Sequence, residues 1–568
     1  MEKVSDYFSR SWAYLVALFL TLGLLRTVEF FSIGGELSIT GAQVGMGWFM
    51  DFLVSVAAIA LFSVFQAVLF CFGIDFQKKV LVGWSLLLIV VNFVLIQYVA
   101  VTKIPLDESI YLFSIRELKL IVAGESRLSV IVLLLLVGVI VFYLIVLYVL
   151  LKFRWLSKFN RIQAVVFVLV LVFPSWTCID VNNGFKEALH TNNRLAFFVQ
   201  RSVFYFLHHD NQETTDLKLT DFAGIDPGFW GGSPMSTSYP LVHRLSDSSQ
   251  FSSFFKHSKN GPPNIVFIIV ESLSTTLVGE KASKTGHLLP FLDSLSAKSL
   301  YWPNFLATCD RTNNVLPASL ASVPYTTHGN MFQQIKFPNH WSLISLLNKH
   351  YFTRFYCGVD LNFANMNGYM NHYETDYLVK DWEAVFRKKY SHRATPWGFS
   401  DGSLFQKSWL DFSKQKLAKQ PRMDVFLTIS THDPFVVPDE EKYIMHVKRA
   451  ISKIKNPTAT HRYVADHARE FASFVYVDEQ LRSYFQQAKK QPGYENTVFF
   501  IFGDHGTELC LYDDLSRYKI PLLVYSPLLV KPQTFHAVSS QLDLAPTILN
   551  YLRVAYSEDL PQVVPFVG

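Results

Sequence analysis

The sequence is poor in charged residues. Only 17% of its 568 residues are Asp, Glu, Lys or Arg, whereas soluble domains usually carry about 25%. The mean hydropathy is +0.22. These values exclude a disordered chain, a coiled coil and a purely cytosolic enzyme, and they place part of the chain in a bilayer. The net charge of +5 is small for this length, and we expect no nucleic-acid partner.

Cysteine is also scarce, and neither internal repeats nor low-complexity tracts are visible. The five cysteines are too few for a disulfide-rich scaffold, and no CxxC or zinc-finger spacing occurs. Aromatic residues are abundant, with 50 Phe and 26 Tyr. They require a sizeable packed domain in addition to any membrane part.

Long apolar runs are confined to the first 180 residues. Five of them approach or exceed the ~18 residues needed to cross a bilayer, at 11–25, 52–72, 80–101, 128–151 and 162–179. The sequence around Arg26 offers no small-residue cleavage site, so we interpret the first run as a retained helix rather than a signal peptide. Residues 1–180 are therefore predicted to form a five-helix transmembrane bundle.

The distribution of Lys and Arg predicts the orientation of this bundle. Positive residues precede the first run, fill the link between the second and third, and fill the link between the fourth and fifth. The positive-inside rule then places the N-terminus in the cytoplasm. After five crossings, everything beyond residue 180 lies on the opposite side of the membrane.

A connecting region is predicted at residues 181–262. Residues 183–209 are rich in aromatics and suggest one or two helices lying on the membrane surface, although an ordinary linker helix fits nearly as well. Residues 210–263 are rich in Ser, Asp, Gly and Pro, which is typical of a segment that wraps around a domain.

From residue 263 to 568 the pattern is that of an α/β domain. Uninterrupted apolar runs rich in β-branched residues indicate strands buried on both faces, hence a mostly parallel central sheet. These runs are 264–270, 425–430, 497–503 and 521–526. Helices are predicted between them at 289–300, 340–349, 402–417, 465–489 and 541–552.

Two of the predicted strands are followed by residues of the types that commonly bind metals. Glu271 follows the first strand, and Asp504 and His505 follow the strand at 497–503. Ligands of open α/β sheets bind at the carboxyl ends of strands, so these side chains could share one divalent cation. Thr312, preceded by Arg311, is a candidate nucleophile whose pKa such a cation would lower. On position alone Ser272, Ser274, Thr275 and Thr276 are rival hydroxyls.

A set of motifs in a fixed order then resembles a known superfamily. NIVFIIVES, CDRTNNVLPASLASVP, WGFSDGSLF, STHDPFVVP, YVDEQL, FIFGDHG, IPLLVYSP and SQLDLAPTILNYL are similar to the alkaline-phosphatase/sulfatase superfamily. They cover residues 264–552 and look like its membrane branch of lipoteichoic acid synthases, phosphoglycerol transferases and phosphoethanolamine transferases. WGFSDGSLF and the pattern at His432 favour the lipoteichoic acid synthase side. The predicted fold is therefore a five-helix transmembrane bundle followed by an extracytoplasmic sulfatase-like domain.

The resemblance assigns roles to individual residues. It implies that Glu271, Thr312, Asp504 and His505 bind the metal, that Thr312 is the nucleophile, and that His432 contacts the substrate phosphate. We add Arg311 as a second group that neutralises this phosphate. Two-metal members carry further His ligands, which this sequence lacks directly after its Asp-His pair, so we expect one ion, Mn²⁺ or Zn²⁺.

Some family features are absent, and others are expected to be structural. Cys309 is followed by Asp-Arg-Thr rather than a CxPxR context, so the formylglycine chemistry of true sulfatases is not expected. Asp543 and Asp478 lie in family motifs but are expected to orient local structure rather than to react.

The resemblance also implies a reaction and a location. We expect transfer of a phospholipid head group, phosphoglycerol or phosphoethanolamine, through a phosphorylated threonine to a hydroxyl of an envelope glycan or lipid. A phosphodiesterase or sulfatase-type hydrolase of the same fold is the alternative, and a third possibility is a transporter or scaffold with a degenerate domain. The expected location is a bacterial inner membrane, multi-pass, with the catalytic domain on the periplasmic or extracellular side.

Two further expectations concern cysteines and the donor. Cys309, Cys357 and Cys510 fall near the predicted site, and two of them are predicted to pair. The segment 355–370 resembles in position the part of lipoteichoic acid synthases that holds glycerol phosphate, yet it contains no Arg, Lys, His or Trp. Its Asp360 could attract a cationic head group, which makes phosphoethanolamine at least as plausible a donor group as phosphoglycerol.

Overall fold

A computed structural model describes most of the chain. The described residues are 2–33, 41–71, 77–102, 105–112, 130–152, 191–208, 242–325, 340–379 without 362, 394–414 without 396, and 420–566 without 508 and 510–514. They fall into two compact units, which divide between residues 215 and 216.

The described residues of the first unit contain four long apolar helices. They are α1 (Glu2–Ile33), α2 (Gly41–Cys71), α3 (Gln77–Thr102) and α4 (Val130–Lys152). Each is long and apolar enough to cross a membrane, over Ser11–Phe30, Gly41–Gln66, Val80–Ala100 and Val130–Lys152. They correspond to the first four predicted spans. The fifth predicted span, at 162–179, lies outside the described residues.

Polar residues link these helices to the segment that follows them. Arg26 of α1 makes a bidentate ion pair with Asp51 of α2, with Nε–Oδ2 and Nη2–Oδ1 distances of 2.5 and 2.8 Å. Arg194 donates to Glu29 of α1 at 2.5 Å, and Asn193 donates its amide to Asp51 at 2.8 Å. All five side chains are buried. These contacts therefore fix residues 193 and 194 against α1 and α2.

A shorter amphipathic helix begins at this point. It is α5 (Arg194–His208), within the region predicted to hold interfacial helices. Leu195 and Ala196 pack against the core of the first unit, whereas Val199, Val203 and Phe206 are about half exposed or more. A 3-10 helix at Glu108–Leu112 lies beside α5, and its Tyr111 stacks on Tyr205.

The described part of the second unit is built on a nine-stranded sheet. The main strands are β2 (Asn264–Val270), β3 (Leu300–Leu306), β4 (Phe352–Cys357), β8 (Arg422–Leu427), β9 (Thr497–Gly503) and β10 (Lys519–Tyr525). The short ones are β5 (Tyr377–Leu378), β11 (Gln533–Thr534) and β12 (Ser539–Ser540). The order in the sheet is β11-β3-β10-β9-β2-β8-β4-β5, with β12 paired to β3.

The sheet is mixed rather than uniformly parallel. Strands β9, β2, β8, β4 and β5 are parallel to one another. β10 runs antiparallel to both neighbours, β3 and β9. The run at 521–526 is therefore a strand, as predicted. It runs opposite to both of its neighbours, and the apolar pattern of a buried strand does not indicate its direction. β3 and β4 were not among the predicted strands, because Pro303 and Arg354 interrupt their apolar character.

Helices cover both faces of the sheet, over two apolar cores. They are α6 (Pro290–Ser296), α7 (Val315–Ala321), α8 (Leu343–Leu347), α9 (Met366–His372), α10 (Asp401–Lys414), α11 (Glu440–Ser452), α12 (Ala459–Asp466), α13 (Ala468–Ala488) and α14 (Leu544–Tyr556). The five predicted helices correspond to α6, α8, α10, α13 and α14.

Four short strands complete the described part of the domain. β6 (Ala394–Thr395) and β7 (Gly398–Phe399) form a small hairpin. β1 (His243–Arg244) pairs with β13 (Val563–Val564). Phe251 and Phe255 pack against Tyr551 of α14, so the described end of the predicted connecting region packs on the α/β domain.

Candidate functional site

The sheet brings the predicted metal ligands together at one edge. β2 and β9 are parallel neighbours, and Val270 is paired with Gly503. The residues that follow, Glu271 and Asp504, therefore leave the sheet side by side. His505 comes directly after Asp504, and all three side chains are buried.

The three side chains form a compact cluster of ligand atoms. One atom from each of Glu271, Asp504 and His505 lies within 4.8 Å of the others. His505 Nε2 is 3.5 Å from Glu271 Oε1 and 3.5 Å from Asp504 Oδ2. A tetrahedral ion with metal–donor bonds of about 2.1 Å separates its donors by roughly 3.4 Å. The distances therefore suit a single ion.

The turn after β2 is adapted to this arrangement. Ser272 has a φ of 56°, a left-handed conformation that is uncommon outside glycine. In this conformation its backbone N–H donates to Asp504 Oδ1 at 2.7 Å, while its hydroxyl donates to Glu271 Oε1 at 3.1 Å. Asp504 Oδ1 also accepts the His505 backbone N–H at 2.7 Å. One residue thus orients both carboxylates.

Residues after β8 hold the backbone of Glu271. The Glu271 N–H donates to Thr428 Oγ1 at 3.0 Å, and Thr431 Oγ1 donates to the Glu271 carbonyl at 2.5 Å. Asp401, at the start of α10, accepts the backbone N–H groups of Ile429 and Ser430 at 2.9 and 3.2 Å. The loop that carries His432 is therefore fixed to both β2 and α10.

Burial and mutual charge set the protonation of the cluster. Burial, reinforced by the charge of Glu271, raises the pKa of Asp504 to about 7. Burial would lower the pKa of His505, but the two carboxylates raise it to about 10. Burial would also raise the pKa of Glu271, and the hydrogen bond and charge of His505 bring it down to about 2 instead. The two carboxylates thus stabilise positive charge between them.

The donor set fits a divalent cation. Asp504 Oδ2 is buried and has no hydrogen-bond partner, which is costly for a carboxylate oxygen unless a cation coordinates it. Two carboxylates, an imidazole and a nearby hydroxyl match the preferences of Mn²⁺ or Zn²⁺.

Thr312 reaches this cluster from β3. It begins a 3-10 helix, Thr312–Asn314, that leads into α7. Its hydroxyl donates to Glu271 Oε2 at 3.1 Å. The nucleophile predicted from the sequence thus lies within hydrogen-bond distance of a predicted metal ligand.

Two rival hydroxyls are committed elsewhere. Ser274 Oγ accepts the Thr507 backbone N–H at 2.7 Å, and Thr275 Oγ1 donates to the Pro303 carbonyl at 2.8 Å. The hydroxyl oxygen of Thr276 is buried and has no hydrogen-bond partner among the described residues. Ser272 remains a rival by position, since it also contacts Glu271.

His432 lies in the loop after β8. Its Nδ1 is 2.9 Å from the Asp433 carbonyl, and because a carbonyl only accepts, Nδ1 carries a proton. Trp397 donates its indole N–H to the same carbonyl at 2.6 Å and packs edge-on against the His432 ring at 4.7 Å.

Arg311, the segment 355–370 and the two motif aspartates were the remaining elements predicted near the site. Arg311 Nε lies 4.0 Å from Asp310. The segment 355–370 approaches His432 through Phe363, whose ring packs on Trp397 at 6.0 Å. Asp478 accepts the first backbone N–H groups of α6, and Asp543 accepts that of Ser540. Both aspartates therefore have the structural contacts expected of them.

The cysteine prediction is wrong for the two described residues. Cys309 and Cys357 are buried free thiols. Cys510 lies outside the described residues. Cys357 ends β4, whereas Cys309 follows β3, and β10, β9, β2 and β8 separate these strands in the sheet. Proximity to the site in the sequence did not imply proximity of the two sulfurs.

Sequence reasoning missed several residues that shape the site. Thr428 and Thr431 form hydrogen bonds with the Glu271 backbone. Trp397 packs against the His432 ring, and Gln541 donates to the Asp504 carbonyl. Trp397, Thr431 and Gln541 each lie in a motif quoted for the family resemblance, which was the available signal. Their roles depend on pairing between distant strands, and a single sequence does not display that pairing.

Comparisons with known proteins agree with this architecture. The sulfatase family model matches residues 263–554, just over half of the chain. The lipoteichoic acid synthase-like protein YvgJ of Bacillus subtilis is 21% identical over 327 residues, which cover 52% of this chain and 48% of that protein. Lipoteichoic acid synthase of Staphylococcus aureus is 25% identical over 338 residues, 53% of this chain and 49% of that protein. The chain thus spans about half the length of the curated relatives it matches.

One solved structure extends the likeness to both units. The integral membrane protein lipooligosaccharide phosphoethanolamine transferase A (EptA) of Neisseria meningitidis superposes with a TM-score of 0.54. The match covers 97% of this chain and 95% of that one, at 12% identity. At this identity the likeness concerns the fold alone. The match to residues 263–554 identifies the family: the chain belongs to the sulfatase family.

Proposed function

We propose that this protein transfers a phospholipid head group, through a phosphorylated Thr312, to a hydroxyl of an envelope glycan or lipid. The observation that carries the proposal is the hydrogen bond from Thr312 Oγ1 to Glu271 Oε2, 3.1 Å long, beside Asp504 and His505. It joins a candidate nucleophile to a candidate metal site at the carboxyl ends of β2, β3 and β9.

Glu271, Asp504, His505 and Thr312 are the proposed ligands of one Mn²⁺ or Zn²⁺ ion. When bound, the ion would lower the pKa of the Thr312 hydroxyl and neutralise negative charge on the substrate phosphate. Ser272 orients both carboxylates, and Thr428 and Thr431 hold the Glu271 backbone in place.

In the first step, the Thr312 oxygen forms a bond to the phosphorus of the lipid. The bond from phosphorus to the diacylglycerol oxygen breaks, and the proton lost by Thr312 is gained, overall, by diacylglycerol. In the second step, the acceptor oxygen bonds to phosphorus, the bond to Thr312 breaks, and the acceptor's proton returns to Thr312. His432 and Arg311 are proposed to contact the phosphate during both steps.

The comparisons and the helices support a membrane setting. Two relatives are named as lipoteichoic acid synthase or as similar to it, and the structural neighbour is named as a phosphoethanolamine transferase. The four apolar helices of the first unit suit a protein that meets a lipid donor. We propose a bacterial inner-membrane location, with residues 1–180 as the membrane domain, 181–262 as the connection and 263–568 as the extracytoplasmic catalytic domain.

The donor is proposed to carry phosphoethanolamine or phosphoglycerol. The segment 355–370 lies near His432 by way of Phe363 and Trp397, and Asp360 is its acidic residue. A carboxylate favours a cationic ammonium group over a neutral glycerol. This charge argues for phosphoethanolamine, whereas the names of the two sequence relatives argue for phosphoglycerol.

The test uses the purified full chain in detergent with Mn²⁺ or Zn²⁺. It is incubated separately with phosphatidylethanolamine and phosphatidylglycerol, diacylglycerol is measured, and the Thr312 peptide is analysed by mass spectrometry. The expected results are diacylglycerol release from one lipid and a matching mass added to Thr312. Thr312→Ala should release none and keep the wild-type melting temperature within a few degrees.

Two outcomes would contradict the proposal. Wild-type turnover by Thr312→Ala would move the nucleophile to a rival such as Ser272. Release of the free head group at the same rate with and without an acceptor would identify a hydrolase instead of a transferase.

A further inference from the structure

The carboxyl ends of β3 and β9 carry the two halves of the site but are not neighbours. β3 leads to Thr312 and β9 to Asp504, and β10 lies between them in the sheet. Strands two places apart in a sheet are separated by roughly 9–10 Å, too far for direct hydrogen bonds between their backbones. β10 pairs with both strands and links their ends indirectly, and a buried side chain adds a direct connection.

The side chain of Gln541 spans this gap. Gln541 begins a 3-10 helix, Gln541–Asp543, that follows β12, and it is fully buried. Its Nε2 donates to the backbone carbonyls of Gly503 and Asp504 at 3.1 and 2.8 Å. Both of its N–H groups are therefore used at the end of β9.

The carbonyl oxygen of the same side chain faces the other half of the site. Gln541 Oε1 accepts the Thr308 backbone N–H at 3.2 Å. Thr308 Oγ1 in turn accepts from Asn314 Nδ2 at 2.8 Å, and Asn314 is the last residue of the 3-10 helix that Thr312 begins. A continuous hydrogen-bonded path thus runs from the backbone of Asp504 to the turn that carries Thr312.

The segment around Gln541 is itself anchored. β12 pairs with β3, with Ser539 opposite Phe305, and Ser540 and Asp543 form a capping box around the 3-10 helix. At the far end of α7, Ser322 Oγ donates to the Leu542 carbonyl at 2.8 Å. Gln541 is therefore held by a rigid support and is not a surface side chain that happens to reach inward.

We propose that Gln541 is a positioning residue that sets the distance between the proposed metal ligand Asp504 and the proposed nucleophile Thr312. It touches neither substrate nor metal and acts through the backbone on both sides. The role rests on the proposed function for its catalytic part, but its effect on the metal site can be measured without any turnover.

The experiment compares Gln541→Met with wild type. Met has a similar length and removes all of the Gln541 hydrogen bonds. The readouts are the affinity of the purified full chain for Mn²⁺, or for Zn²⁺ if Mn²⁺ does not bind, the values of kcat and KM, and the melting temperature without metal. Loss of support behind a metal ligand typically weakens affinity by about 10–100-fold. A comparable fall in kcat, with KM within about threefold, is expected because the substrate contacts remain.

Ser526→Ala is the matched control. Ser526 is also buried, and its hydroxyl donates to the Thr497 carbonyl at the opposite end of β9, at 2.7 Å. The variant removes a hydrogen bond to the same strand without touching the site edge. It should lower the melting temperature while metal affinity and kcat stay within about twofold of wild type. Gln541→Asn, which keeps an amide on a shorter side chain, replaces Gln541→Met if the latter does not fold.

The proposal is overturned if a folded Gln541 variant keeps metal affinity and kcat within twofold of wild type, or if Ser526→Ala reduces both equally. It is also overturned if the wild type binds neither Mn²⁺ nor Zn²⁺. If the wild type binds metal but releases diacylglycerol from neither lipid, the proposed function fails, and the metal affinities still decide the role of Gln541.

Discussion

Both units bury charged side chains, but the balance of charge differs between them. In the first unit, Arg26 pairs with Asp51 and Arg194 with Glu29. Each arginine forms an ion pair with one carboxylate, so the positive and negative charges balance. Charged groups are expensive among apolar helices unless they are paired in this way.

At the sheet edge of the second unit, two carboxylates face one imidazole. Glu271 and Asp504 lie on either side of His505, and Asp504 Oδ2 has no hydrogen-bond partner. Burial and the charge of Glu271 raise the pKa of Asp504, and the two carboxylates, against the effect of burial, raise the pKa of His505.

This difference separates a structural cluster from a ligand site. A balanced cluster is complete without a partner, and breaking it should damage the fold. A cluster with excess negative charge is prepared for a cation, and removing one carboxylate should damage binding but not the fold.

The largest effect is expected for Arg26→Leu. It leaves Asp51 buried with only Asn193 as its described donor from another segment. Removing one partner of a buried ion pair typically costs about 3–5 kcal/mol. The melting temperature of the detergent-solubilised chain should therefore fall by many degrees. The double variant Arg26→Leu with Asp51→Leu should recover most of this loss, and equal instability of the single and double variants would refute the idea of a balanced pair.

Asp504→Asn should have the opposite profile. The amide oxygen can still accept the Ser272 and His505 backbone N–H groups, while the repulsion with Glu271 disappears. Metal affinity should fall by at least about 100-fold, or about 2.7 kcal/mol, since a charged ligand is lost. In EDTA the melting temperature should stay the same or rise. Titration with Mn²⁺ and a thermal melt measure the two effects.

Asp424→Asn is the control for this comparison. Asp424 is a buried carboxylate on β8 that is paired with Arg354 at 2.6 Å and with Arg422 at 2.9 Å. Neutralising it should lower the melting temperature and leave metal affinity unchanged. If Asp504→Asn loses as much stability in EDTA as Asp424→Asn, excess charge is not what distinguishes the site.

The sequence was sufficient to predict the cluster of ligands but not the contacts that support it. Uninterrupted apolar strands ending in Glu271 and in Asp504-His505 were enough to predict the cluster, since ligand sites form at the carboxyl ends of strands. The antiparallel direction of β10 leaves no mark in an apolar run. The support from Gln541 and Thr428 depends on which strands become neighbours, and that is decided by packing over the whole domain. The pairing of Arg26 with Asp51 likewise requires the packing of two helices.

A smaller effect is expected from pH at Asp401. Burial raises the pKa of this carboxyl to about 6, against the hydrogen bonds from Ile429 and Ser430. Since the ordinary value is near 3.9, the folded state binds the proton more tightly than the unfolded state. Its stability is greatest below pH 4 for this group and falls as pH rises towards 6. The loss should be about 2–3 kcal/mol at pH 7.

Asp401→Asn should remove this dependence. The free energy of unfolding of wild type relative to Asp401→Asn should therefore decrease between pH 4 and pH 7, as measured by denaturant titration without metal. Asp424→Asn supplies the contrast, because its arginine partners lower the pKa of Asp424 despite burial. The free energy of unfolding of wild type relative to Asp424→Asn should therefore increase as the pH rises over the acidic range. Parallel pH profiles for the two variants would contradict the assigned environments.

The smallest effect is expected at the surface of the first unit. Arg201 of α5 pairs with Glu108 of the neighbouring 3-10 helix. This pair is charge-balanced like those at Arg26 and Arg194, but the Arg201 side chain is 34% exposed. Solvent screens such a pair and supplies hydrogen bonds when it is broken, so it should contribute only about 0–1 kcal/mol. Arg201→Gln should shift the melting temperature by no more than a degree or two, and 0.5 M salt should abolish the difference. A loss as large as that of Arg26→Leu would show that charge balance, and not burial, determines how much each pair stabilises this unit.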